Sequence, residues 1–268
     1  MNLARDVEAV ERAVWQDMFA AAPAPFRDDA GLSHRRFDGA LAIAAANIPD
    51  TQFSRAFAFG IDAPTDEREL DNAIAFLRAT GAPCWWLQPA PEERALIAAI
   101  EARGFNRTTR QWAKFVRRLD VDATVSTSLS VAQISAEQGD AFGAIVCEAF
   151  GAPPPLALWL KALIGRPNWR LYVASVDGVP VSAAAMWSDG DFAWYGIAGT
   201  NTAGRGRGGQ TAVLARLIND ARASGARLLV AETGEKQPGA VSTSFDNMIR
   251  QGFTVAYLRP NYAPPEQC

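Results

Sequence analysis

The chain has 268 residues, 49% hydrophobic and 21% charged, a globular balance with length enough for two compact units. Twenty-six Lys and Arg against 29 Asp and Glu give a net charge of −3, and outside one glycine-rich loop no basic block is longer than a pair such as Arg35-Arg36 or Arg117-Arg118, which argues against a nucleic-acid or membrane-surface role. Three cysteines (Cys84, Cys147 and Cys268) with no C-x-x-C pair, and one histidine, argue against a disulfide framework or a metal site.

The opening stretch is amphipathic, with neither a secretion signal nor an apolar run approaching the ~20 residues of a membrane span, so a cytoplasmic protein is expected. His34 would have to carry any Ser-His or Cys-His nucleophile system, but it lies in the polar run Ser33-His34-Arg35-Arg36 and reads as a residue between elements. A helix is expected over 67–78, a strand over 82–88 and a helix over 91–103, stopped by Gly104-Phe105. Trp85 and Trp86, adjacent on that strand, must point to opposite faces. Trp112 and Phe115 mark a strand over 110–118 that would close this half. Residues 120–128, rich in Asp, Ser and Thr, read as a linker. Cys84 and Cys147 read as small buried hydrophobes.

Leu129 to Ile134 is a strand candidate, and Ser135 to Gln138 a capping box before the apolar set Phe142, Ile145, Val146 and Ala149. Another helix starts at residues 153–155 and shows Leu156, Trp159, Leu160 and Leu163 on one face. Strands over 169–175, 179–187 and 191–197 are separated by Asp177-Gly178 and Asp189-Gly190, the dipeptides of tight hairpins, and so form an antiparallel meander. The run A-G-R-G-R-G-G-Q-T at 203–211 then opens a helix carrying Val213, Leu214, Leu217 and Ile218. A glycine-rich turn at a helix start is an anion site: the first amides lack intrahelical partners, the dipole is positive there, and no Cβ atoms hold a phosphate away. A short strand over 226–231, a helix over 243–251 stopped by Gly252-Phe253, and a strand over 254–258 complete the pattern.

Gly204, Gly206 and Gly209 also satisfy the G-x-G-x-x-G spacing of dinucleotide-binding turns, but the preceding meander is not the parallel unit that such a turn requires. The run from Arg205 through Gly208 to Gln210, with the elements on either side, instead resembles the R/Q-x-x-G-x-G/A motif of the GNAT superfamily of N-acetyltransferases, over residues 129–268. The resemblance implies an α/β fold of the α+β mixed-sheet kind. It also implies acetyl-CoA as the acyl donor, bound through its pyrophosphate by Arg205, Gly206, Arg207, Gly208, Gly209, Gln210 and Thr211, with Ile197, Ala198 and Gly199 facing the pantetheine arm and thioester. Gln210 departs from the family's Gly or Ala and fits if its side chain turns outward. Where many members carry a proton-donating Tyr this chain has Met248, so Ser244, Asn247, Tyr257 or Tyr262 are candidates in its place; Asn247 could equally contact the pantetheine. Glu232, at the end of the strand after the loop helix, is the candidate general base, against the alternative that it pairs with an arginine such as Arg250. The segment 150–158 is the expected seat of acceptor specificity.

The first 120 residues repeat the order helix, strand, helix, Gly-Phe, and A-T-G-A at 79–82 parallels A-S-G-A at 223–226. Their counterpart of the glycine loop, I-D-A-P-T-D-E-R at 61–68, carries three acids and no glycine. Two tandem GNAT-like domains are therefore expected: a degenerate one over 1–120, a linker over 121–128 and an acetyltransferase domain over 129–268, the second able to hold its pocket when expressed alone. The implied activity is transfer of an acetyl group to an amine of a small molecule or peptide, with no metal; the resemblance leaves room for a homodimer. The alternative is a non-catalytic acyl-CoA-binding sensor.

Overall fold

A computed structural model describes residues 2–266; Cys268 lies outside them. The first half runs α1 (Leu3–Ala20), α2 (Ala24–Ala30), β1 (Leu32–Phe37), β2 (Ala40–Ala45), β3 (Arg55–Phe57), α3 (Glu67–Ala79), β4 (Trp86–Gln88), α4 (Arg94–Ala102), β5 (Asn106–Arg107) and β6 (Trp112–Arg118). The second runs β7 (Ser130–Gln133), α5 (Gly139–Phe150), α6 (Leu156–Lys161), β8 (Trp169–Val176), β9 (Val179–Asp189), β10 (Phe192–Thr200), α7 (Gly209–Ala223), β11 (Leu228–Gly234), α8 (Thr243–Arg250), β12 (Thr254–Arg259) and β13 (Tyr262–Ala263). The expected meander is β8–β9–β10, and the expected capping box at Ser135 and Gln138 has both of its bonds.

The strands form two mixed sheets, ordered β1-β2-β3-β4-β13-β5 and β12-β6-β11-β10-β9-β8-β7. Each half therefore lends one strand to the other. β6 lies between β11 and β12, antiparallel to both, and β13 lies between β4 and β5. This corrects the expectation that Trp112 and Phe115 close the first half's own sheet. Alternating side chains specify a half-buried strand but not which sheet receives it.

The second sheet is covered on both faces. Trp194, Trp187, Leu171, Val116 and Val230 pack with α5, α6 and the first half's α1, whose Val7, Val10, Val14, Trp15 and Met18 recur at helical spacing. On the other face Tyr195, Met186, Phe115, Ala113 and Leu229 meet α7 and Met248 of α8. A third cluster, including Leu70, Leu77, Trp85, Leu87, Ile100 and Tyr262, is the first half's own core. Trp159 ties the halves: its Nε1–H donates to the Met18 carbonyl (2.6 Å) while its ring packs among Phe19, Phe26 and Phe53. Cys147 is buried and Cys84 only half-buried, against the expectation for the latter; both are free thiols. Among the described residues no helix is long and apolar enough to cross a membrane.

Candidate active site

Pairing between β10 and β9 slips by one residue between Gly196 and Gly199, and Ile197 takes φ +52°, so β10 carries a bulge there. Beyond it β10 leaves its parallel neighbour. The two pair from Phe192 with Leu228 to Tyr195 with Ala231, while β11 continues through Glu232, Thr233 and Gly234 against β6. Both glycines beside the bulge are sterically required: a Cβ would lie 2.0 Å from the Trp194 ring at Gly196 and 2.6 Å from Ala149 Cβ at Gly199. The result is a cleft between splayed strands, with the backbone of Ile197, Ala198 and Gly199 along one edge.

The chain then makes a turn at Thr202–Gly204, anchored by the Thr202 N–H donating to Glu148 of α5 (2.7 Å). That bond holds the Glu148 carboxyl below its ordinary range. Gly206 and Gly208 follow with φ +76° and +77°, and a Cβ on either would meet open space. Gly208 is left-handed and, among the described residues, no side chain caps the first amides of α7, beside exposed Arg205 and Arg207. The loop is braced from below and from the side. Gly209 sits on Ser182, whose hydroxyl bonds Thr200 (2.8 Å), and Thr211 Oγ1 donates to Asn247 Oδ1 (2.8 Å), fixing α8 to the first turn of α7. The Gln210 side chain, only partly buried, comes within reach of the buried Tyr195 hydroxyl.

The corresponding helix start in the first half is closed by the chain's own acids. Asp66 caps α3 by accepting from the Glu69 N–H (2.7 Å), and Glu69 accepts from the Ala40 N–H (3.0 Å). Asp62 pairs with Arg12 (2.8 Å) and Arg36 (2.9 Å). A Cβ at Gly60 would lie 2.9 Å from the Glu93 carboxylate.

No protein-family model matches the sequence, and no curated protein matches it significantly. Solved structures do. A GCN5-related N-acetyltransferase from Kribbella flavida superposes with a TM-score of 0.66 at 16% identity, over 99% of this chain and 96% of that one. A tandem GNAT protein from the clavulanic acid biosynthesis pathway gives 0.58 at 15% identity, over 97% and 95%. A GCN5-related N-acetyltransferase from Sphaerobacter thermophilus gives 0.58 at 14%, over 84% and 80%. The chain has the GNAT fold.

In this GNAT fold the expected acid–base residues fall in three different places. Tyr262, on β13, belongs to the first half's core and donates its hydroxyl to Glu101 (3.0 Å), so the strand exchange carries it away from the second sheet. Ser244 is exposed on the first turn of α8, one turn before Asn247. Glu232 lies on the α1 face of β11, with Lys114 of β6 on one oxygen and Arg55 of β3 3.6 Å from the other; Arg259 of β12 is 3.5 Å away. The alternative of an ion-paired Glu232 describes this geometry, with partners other than Arg250.

Glu232 is one member of a buried ionic cluster joining both halves. Lys114 also holds Glu11 of α1; Arg259 contacts Glu8 (3.1 Å) and Glu11 (2.6 Å); Arg55 reaches Glu11 (3.2 Å) and lies over the Trp15 ring (4.6 Å). Three carboxylates face three cations, so the interior is locally neutral. Burial disfavours the charged form of Glu11, yet Arg259, Lys114 and Arg55 overcome it and hold the carboxyl well below the usual range. Burial and the adjacent Glu8, to which its hydroxyl donates (2.6 Å), keep Tyr257 protonated far above its ordinary pKa. Two signals in the sequence pointed to this cluster: Glu8 and Glu11 share the apolar face of α1, and Lys114 interrupts an otherwise buried strand.

Proposed function

We propose that the chain is an acetyl-CoA-dependent N-acyltransferase whose donor site is formed by the second half. The observation that carries this reading is the pair of left-handed glycines, each facing open space, leading into the uncapped start of α7 beside the splayed strands. The amides from Arg205 to Thr211, with the charges of Arg205 and Arg207, suit a pyrophosphate, and the bulged backbone at Ile197, Ala198 and Gly199 suits the pantetheine arm. Asn247, which accepts from Thr211, would meet the same arm. Acetyl-CoA supplies the acetyl group as an activated thioester. The chain's task is to hold an amine against that carbonyl, stabilise the developing oxyanion with a backbone amide near the bulge, and accept the ammonium proton. Ser244 is the candidate for protonating the thiol that leaves. The acceptor is an amine of a small molecule or peptide.

CoA should raise the melting temperature, by an amount equivalent to about 2.7 kcal/mol at a concentration 100-fold above Kd. Gly208→Glu, which adds a side chain and a negative charge at the anion site, should abolish that shift. Unchanged CoA affinity in a Gly206→Glu/Gly208→Glu double variant would sink the donor-site assignment, and CoA binding without transfer to any amine would favour a sensor.

A further inference from the structure

Between β5 and β6 the chain crosses from one sheet to the other, and this short crossing is pinned throughout. The Arg110 carbonyl accepts from Asn261 Nδ2 (2.7 Å) and Thr108 Oγ1 (2.8 Å), and the Thr108 N–H donates to the Asn261 carbonyl (2.9 Å). On its other side the Gln111 N–H donates to the Glu235 carboxylate (3.0 Å), and the Gln111 carbonyl accepts from the Glu235 N–H (3.0 Å). The backbone of Arg110 is thus fixed by partners from both halves.

Its side chain, exposed to solvent unlike Arg55, Lys114 and Arg259, lies back over Gly234. A Cβ on Gly234 would lie 2.5 Å from Arg110 Nη2, so the guanidinium occupies the space that the absent side chain leaves. Gly234 ends β11, and by strand alternation it shares a face with Glu232 and Val230, the face covered by α1 and α5. Arg110 therefore stands over the splayed end of β11, across the sheet from α7 and α8. Its Cζ is 5.7 Å from the Trp112 ring. Among the described residues it is matched with no carboxylate, whereas Arg55, Lys114 and Arg259 on the same side of the sheet each have one. The Trp112 ring beneath it carries a second donor: its Nε1–H is buried and, among the described residues, has no acceptor.

We propose that Arg110 and Trp112 receive a carboxylate of the acceptor, so that the acetylated amine belongs to an amino-acid-like molecule carrying both groups on one small scaffold. A guanidinium matches a carboxylate with two parallel hydrogen bonds, and its stacking on an indole fixes the plane in which it offers them. The carboxylate at the end of β11 leaves the amine directed into the cleft towards the bulge of β10. The inference rests on the transferase reading above and assigns to the first half's final crossing a direct role in acceptor choice.

The test is acetyl transfer from acetyl-CoA to a panel of α- and ω-amino acids, each paired with its carboxamide. Carboxylate members should be preferred by roughly 10- to 100-fold in kcat/KM, mainly through KM. Arg110→Ala, and independently Gly234→Ala, whose methyl displaces the guanidinium, should bring the ratio close to one, and Arg110→Lys should keep part of it. Calorimetric titration of the preferred amino acid into CoA-loaded protein should show the same loss in both alanine variants, with the CoA-induced rise in melting temperature certifying that they are folded. Equal use of acids and amides by the unsubstituted protein, or a preference that survives both alanine variants, would overturn this inference while leaving the transferase reading intact. Turnover with no amine of either set, beside transfer to other amines, would also overturn this inference; only the absence of transfer to any amine would overturn the transferase reading as well.

Discussion

Glu232 shows how position in a sequence leaves two roles open to one residue type. A glutamate ending a strand beside an expected cleft has the location of a general base, but a base must be free to take a proton, and Glu232 would have to give up Lys114 to do so. The cluster's first consequence is for stability. Removing one member of a buried pair leaves its partner uncompensated and costs about 3–5 kcal/mol, so Glu11→Gln should lose an amount of that order in urea unfolding at pH 7. The folded pKa of Glu11 is depressed, so its contribution is present above the unfolded value near 4.3 and is lost as pH falls through the lower folded value. The gap between the parent protein and Glu11→Gln should accordingly narrow from pH 5 towards pH 3; a gap constant across that range would show that Glu11 is not charged in the fold. Glu232→Gln should likewise lower the melting temperature. If it left stability untouched and removed the acidic limb of the kcat/KM profile, Glu232 would be the base after all.

Two helix starts, in α7 and α3, carry the contrast between the halves, and both were largely legible. Consecutive glycines before an apolar helix gave the open start, and Asp62, Asp66 and Glu67 marked the other as hostile to phosphate. Hidden from the sequence was the degree to which the first half uses its acids: Asp66 became a helix cap and Glu69 a partner for the β2 backbone, so the lost anion site has turned into structure. Asp66→Ala should therefore cost about 1 kcal/mol in denaturant unfolding, as caps do, with no gain of a second CoA equivalent in titration. A second equivalent would show that the first half still has a working site behind its cap. The neighbour of Gln210 was hidden for a related reason, since Tyr195 is remote in sequence and comes close only when β10 passes beneath α7.

Across the whole molecule the order of elements and the internal repeat were readable, because turn dipeptides and apolar periodicity are local. The exchange of β6 and β13 was not, because a strand's own residues specify a face and not a partner. It changes the expectation for separated halves. Residues 126–268 lack β6, the strand between β11 and β12, and without the first half Glu232 loses Lys114 and Arg259 loses Glu8 and Glu11 while two sheet edges stand open. That fragment expressed alone should aggregate, whereas co-expression with residues 1–125 should yield a soluble complex that binds CoA. A monomeric, CoA-binding 126–268 fragment would contradict this account.

The exchange also sets a timetable for synthesis. The first half leaves the ribosome early, yet the gap between β4 and β5 is filled only by Tyr262 and Ala263, near the end of translation. Until then the nascent chain presents an incomplete sheet and a β6 segment with no neighbours, the state in which chains engage chaperones or one another. The two halves therefore form a single folding unit, and a ribosome that stops before residue 262 releases neither half finished.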